Sequence, residues 1–145
     1  MIVVVEPGVA IKWFVDEPLR PQARALLEHG HELIAPDILI AGVAELARLK
    51  TVAGEITAAQ AEPIVRCIGL PTFISAFVES TRLRQRALAI ALQCGRPAAD
   101  GFYAACAEAA FAPLVSSDEG LLQALRREGV AVRGVSLAAI ETLGG

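Results

Sequence analysis

The sequence predicts an α/β fold, with a mostly parallel central sheet flanked by helices. Three observations carry this expectation. Apolar, strand-like runs alternate with helix-periodic segments along the whole chain, and that order stacks helices on both faces of a parallel sheet. The runs are short and apolar, as in Ile2-Val3-Val4-Val5 and Leu114-Val115-Ser116, which suits buried strands of such a sheet. Between Arg96 and Asp118, one carboxylate falls at a helix start and another at a strand end. Open α/β sheets build their sites outside the carboxyl ends of the strands.

Taken in order, Ile2 to Val5 is a first strand, Glu6-Pro7-Gly8 a turn, and Val9 to Phe14 a short helix carrying Lys12 and Trp13. Asp16-Glu17-Pro18 breaks it. Arg20 to Glu28 places Ala23, Leu26 and Leu27 at helical spacing and ends near Gly30. Glu32 to Ala35 is a second strand, stopped by Pro36. Asp37 is expected to cap a helix from Ile38 to Lys50. Thr57 with Gln60 has the form of a capping box and opens a helix reaching Ile68. Thr72, Phe73 and Ile74 favour a third strand over Pro71 to Ser75. A helix from Glu79 to Cys94 ends at Gly95. Pro97 suits the first position of the next helix, because its missing N–H would be unpaired there. Asp100 then lies in the first turn, and Pro113 ends the helix before the strand Leu114 to Ser116. Asp118 opens a helix from Glu119 to Arg127, Val130 to Val135 is a last strand, and Ser136 caps a short terminal helix.

Composition narrows the function. A chain of 145 residues is the usual size of one domain, here 1–145, and 54% hydrophobic residues suffice for a substantial core. That fraction in a short chain also suggests apolar surface covered by a partner. A net charge of −3 argues against coating nucleic acid by bulk electrostatics. The N-terminal apolar run lacks a basic flank and stops at Glu6, so it reads as a strand and not as a signal peptide. No apolar run is long enough to span a bilayer. Cys67, Cys94 and Cys106 are odd in number and without metal-ligand spacing, as expected of reduced core thiols in a cytoplasmic protein. Neither G-x-G-x-x-G nor a Walker A sequence is present.

The chemistry rests on Glu6, Asp100 and Asp118, which this topology brings toward one sheet edge. Each has a bland reading alone: Asp118 as a helix cap, Asp100 as an acid favoured by a helix dipole, Glu6 as a solvated strand end. Together they repel one another unless a cation lies among them. Hard cations such as Mg²⁺ or Mn²⁺ take oxygen ligands from one or two carboxylates plus water and phosphate. Acids clustered without His or Cys therefore suggest metal-assisted phosphodiester hydrolysis. Arg96 and Lys12 are the candidate phosphate-binding residues.

The chain resembles a PIN domain of the VapC toxin type. The resemblance runs through Ile2-Val3-Val4-Val5-Glu6, Val9-Ala10-Ile11-Lys12-Trp13-Phe14, Ala35-Pro36-Asp37-Ile38-Leu39-Ile40-Ala41 and Gly54-Glu55-Ile56-Thr57. It closes with Asp100-Gly101-Phe102-Tyr103, Ala107-Glu108 and Leu114-Val115-Ser116-Ser117-Asp118. It implies a Mg²⁺-dependent ribonuclease of a toxin–antitoxin system, a cognate antitoxin, an RNA substrate and a homodimer with a mainly helical interface. It also implies four acids, and here the chain departs. Asp100 and Asp118 match, Glu6 stands for an Asp, and Pro7-Gly8 replace a small residue and a hydroxyl. The acid of the helix after the second strand falls on Gly42. Glu45, three residues on, lies about 4.5 Å along the axis and roughly 60° around it, and is the substitute metal ligand to consider. On this reading Gly42→Glu would restore the missing acid. The alternative is a catalytically degenerate PIN domain acting as a partner- or RNA-binding module.

Overall fold

The computed structural model describes residues 1–144. Five parallel strands form one sheet in the order β3-β2-β1-β4-β5. They are β1 (Ile2–Val5), β2 (Glu32–Pro36), β3 (Ala76–Val78), β4 (Leu114–Ser116) and β5 (Gly134–Ser136). Val3, Val4 and Val5 of the central strand are fully buried, which explains why the run is continuously apolar instead of alternating. The helices are α1 (Pro7–Ala10), α2 (Arg20–Glu28), α3 (Leu39–Val52), α4 (Ala58–Ile68), α5 (Ser80–Cys94), α6 (Ala98–Ala110) and α7 (Glu119–Arg127). Turns of 3₁₀ type cover Ile11–Trp13 and Leu137–Gly144.

Local chemistry sets most boundaries. Thr57 and Gln60 close a reciprocal capping box on α4, with bonds of 3.1 and 2.8 Å. Gly95 ends α5 in the left-handed conformation (φ 64°), which costs glycine little. The chain then reverses, so α5 and α6 pack as a hairpin. Gly101 makes their closest approach: a Cβ there would lie 2.1 Å from the Ala87 carbonyl oxygen. Ser136 Oγ accepts from Ala138 N–H at 3.2 Å, the expected cap.

Several expectations shift. Glu6-Pro7-Gly8 is not a free turn, because α1 already starts at Pro7 and Glu6 caps it. Asp37 does not cap α3. Its N–H bonds to the Val78 carbonyl at 2.9 Å, and Ile38 holds the cap position without a side-chain bond. The third strand lies at Ala76–Val78, later than Pro71 to Ser75. Phe73 stacks on Trp13 (centroids 5.8 Å apart) and packs on Phe14 (4.8 Å), while the backbone of Phe73 and Ile74 turns back to the Leu70 carbonyl. Phe73 and Ile74 serve core packing and not pairing, and Thr72 is exposed. The last strand is confined to Gly134–Ser136, where the chain comes into register with β4. No helix among the described residues is long and apolar enough to cross a membrane.

Candidate active site

The strand order reverses direction beside β1: the chain first builds outward through β2 and β3, then crosses to β4 and β5. Such a switch point leaves a crevice at the carboxyl ends of the two central strands. Glu6 follows β1 and Ser117-Asp118 follow β4. The α5–α6 turn brings Asp100, in the first turn of α6, to the same crevice. The result is a cavity of about 730 Å³, lined by Glu6, Asp100 and Asp118 together with Gly42 and Glu45 of α3. Pro7, Phe102 and Tyr103 make much of its apolar wall.

The acids are held in different ways. Glu6 turns back on its own helix: its carboxylate accepts from Val9 N–H at 2.9 Å and Gly8 N–H at 3.1 Å. Longer contacts of 3.4 Å reach it from the Ser117 N–H and hydroxyl. Burial pushes the Glu6 carboxyl above the usual range, with these backbone donors opposing the shift. Asp100 is also raised, first by burial and further by the charge of Asp118, against the pull of Arg96. Asp118 caps α7 by accepting from Leu121 N–H at 3.1 Å. Asp118 is thus the cap of α7 and also lines the cavity.

Arg96 joins two of these acids. Its Nε donates to Asp100 Oδ2 at 3.0 Å and its Nη2 donates to Asp118 Oδ2. Glu45 lines the cavity, but its half-exposed carboxylate pairs with Arg48 at 2.5 and 3.0 Å. Lys12 is placed elsewhere. It bonds to Glu17 at 2.8 Å, Glu17 also takes Lys50, and Lys12 does not line the cavity.

Gly42 sits at the α1–α3 contact. A Cβ built there would fall 2.5 Å from Cγ of Pro7 and 3.6 Å from the Tyr103 hydroxyl. The expectation that Gly42→Glu alone restores the acid therefore meets an obstacle. Glutamate has good helix propensity, but the proline ring fills the space its side chain must cross. Ser117 and Tyr103 also line the site, beyond the acids that the sequence marks. Tyr103 was within reach, since a residue three after Asp100 shares its helix face. Burial raises the Tyr103 phenol strongly, and the charges of Glu6 and Asp100 add to this, so its hydroxyl stays protonated at the cavity wall.

A parallel α/β domain with acids converging at its switch point is a class of fold with known members. A model of the family described as PIN domain matches residues 3–127. The chain belongs to the PIN-domain family. The fold is similar to that of PAE2754 from Pyrobaculum aerophilum, with 17% identity and a TM-score of 0.71 over 99% of this chain and 90% of that one. It is also similar to FitAcB from Neisseria gonorrhoeae, with 18% identity and a TM-score of 0.60 over 94% of this chain and 99% of that one. No curated protein matched the chain by sequence.

PIN domains are generally divalent-metal-dependent nucleases, so the donor set can be tested against such an ion. Asp100 and Asp118 supply hard oxygens of the right kind. Yet both already share the Arg96 guanidinium, Glu6 is engaged by α1, and residue 42, where the VapC resemblance expects an acid, is glycine. Among the described residues, no three His, Cys, Asp or Glu side chains come together in a way that could hold a metal ion. As arranged, these residues do not fit a divalent cation.

Proposed function

We propose that this chain is a VapC-type PIN domain impaired as a Mg²⁺-dependent ribonuclease, which acts by engaging a partner. The single observation that carries this reading is Pro7 standing where a side chain at position 42 would go. The fourth acid is not merely absent; its path to the crevice is filled. The partner is a cognate antitoxin, as the VapC resemblance implies. The domain, 1–145, works as a homodimer in the cytoplasm, where the free thiols of Cys67, Cys94 and Cys106 stay reduced.

A second reading is an active Mg²⁺- or Mn²⁺-dependent ribonuclease. It is favoured by one observation, the convergence of Glu6, Asp100 and Asp118 on a single cavity. Cleavage of a mixed RNA pool in Mg²⁺ separates the two. On the first reading, wild type cleaves no faster than Asp118→Asn. Cleavage by wild type that Asp118→Asn abolishes would establish the second.

A further inference from the structure

Arg96 lies between the end of α5 and the start of α6. The left-handed Gly95 and the extended Pro97 on either side fix its backbone. From there the side chain reaches along the first turn of α6 to Asp100 and across to Asp118 at the head of α7. The Arg96 and Asp100 side chains are each about one-quarter exposed and that of Asp118 is nearly half exposed, so the Arg96–Asp100 contact is screened somewhat less than a fully exposed ion pair. Room is kept for it. A Cβ at residue 120 would lie 3.1 Å from Arg96 Nη1 and 3.2 Å from Asp118 Oδ1, and residue 120 is glycine.

Two carboxylates facing one crevice repel unless one holds its proton or a positive charge sits between them. A guanidinium provides one that cannot lose its proton and offers donors in a planar fork. It is also covalently attached, so its effective concentration is fixed by the chain and not by the solution. A dissolved divalent ion must displace it and leave Arg96 partly buried without its partners, which is costly. We propose that Arg96 is a built-in counter-cation that takes the place of a divalent metal between Asp100 and Asp118. The acid edge is thereby closed in a metal-independent way. This goes beyond the impaired-ribonuclease reading, and its test does not read RNA cleavage.

The test is Mn²⁺ binding followed by electron paramagnetic resonance, with thermal melting in parallel, on wild type, Arg96→Met, and Arg96→Met combined with Asp100→Asn and Asp118→Asn. Methionine keeps much of the length and removes the charge. The expected result is a wild-type melting temperature unmoved by Mn²⁺. Arg96→Met should melt lower, bind Mn²⁺ at least about tenfold more tightly than wild type, and regain thermal stability as Mn²⁺ is added. The triple variant has no facing charges, so it should melt above Arg96→Met and ignore Mn²⁺. If Arg96→Met is unfolded without metal, recovery of its fold in Mn²⁺ supports the proposal, and failure to recover overturns it. Wild type binding Mn²⁺ as tightly as Arg96→Met, or Arg96→Met showing no Mn²⁺ response, overturns it too. RNA cleavage by wild type would sink the impaired-ribonuclease reading without deciding this result.

Discussion

Pro7 and Gly42 meet across the α1–α3 contact, and the size of each is set by the other. Gly42→Glu alone should overpack this contact and destabilise the fold by roughly 1–3 kcal/mol. Pro7→Ala removes the obstructing ring, so the double variant should be less destabilised than the sum of the singles. Urea denaturation of the four proteins gives the coupling, and strict additivity would show that the two residues do not compete for space. Glu6 yields a prediction in pH. Its folded pKa is raised, chiefly by burial. The stabilisation tied to its protonated form is therefore complete below the unfolded pKa and is lost as pH rises through the folded one. Glu6→Gln keeps an oxygen for Val9 N–H and has no charge to desolvate. It should melt above wild type at neutral pH and lose that advantage in acid. A lower melting temperature for Glu6→Gln at neutral pH would mean that the backbone donors outweigh burial. The residues of the site were partly legible in the sequence. Glu6, Asp100 and Asp118 stand where apolar runs and helices begin or end, and element ends meet at a sheet edge. Asp100 lies four residues after Arg96 and Glu17 five after Lys12, within local reach. The pairing of Arg96 with Asp118 and of Glu17 with Lys50 joins residues far apart in sequence, and no local spacing reveals it.

At the scale of elements, the α5–α6 hairpin positions two of the site's residues, Arg96 and Asp100. Its geometry depends on Gly101, where even one methyl group meets the backbone of Ala87 at 2.1 Å. A carbonyl cannot swing aside as a long side chain can. Gly101→Ala should therefore cost near the top of the roughly 1–3 kcal/mol range for overpacking. It should also shift the near-ultraviolet circular dichroism of the neighbouring Phe102 and Tyr103. A variant as stable as wild type would mean that the two helices can separate freely. The α7 cap gives a second element-scale test. Asp118→Ala should lose about 0.5–2 kcal/mol with the cap, whereas Asp118→Asn keeps an oxygen for Leu121 N–H and should lose less. Equal losses would show that the pairing with Arg96, and not the cap, is what Asp118 contributes. Elements with their own chemistry were read from the sequence, as with Thr57 and Gln60 on α4. The third strand was misplaced because Thr72, Phe73 and Ile74 carry side chains that suit either pairing or packing. Only the distant rings of Trp13 and Phe14 decide between the two.

At the scale of the whole molecule, several large apolar side chains stand exposed on the surface. Val52 is 74% exposed and Leu49 47%. Both project from the end of α3, next to a shallow groove between α3 and α4 lined by Ala44, Ala47, Ala58 and Ala61. Small side chains along a groove let a second helix approach closely, and exposed aliphatic residues at its rim gain by being covered. Apolar area removed from water contributes roughly 25 cal/mol per Å². A stable dimer needs at least about 1,000 Å² in total, counting both partners. A two-fold pairing of α3–α4 faces would supply a helical interface in which the same residues serve both copies. Sedimentation velocity at micromolar concentration should therefore show a dimer. Val52→Asp would place two facing carboxylates near the symmetry axis and should convert it to a monomer. Because Val52 packs on little of its own chain, the melting temperature of the dissociated monomer should report only the lost association, becoming independent of protein concentration. A wild-type monomer at these concentrations would show that the α3–α4 face does not pair two copies of this chain. A Val52→Asp dimer would place the two-fold contact on another helical face, and the exposed Leu88 and Leu92 stripe of α5 is then the surface to substitute next.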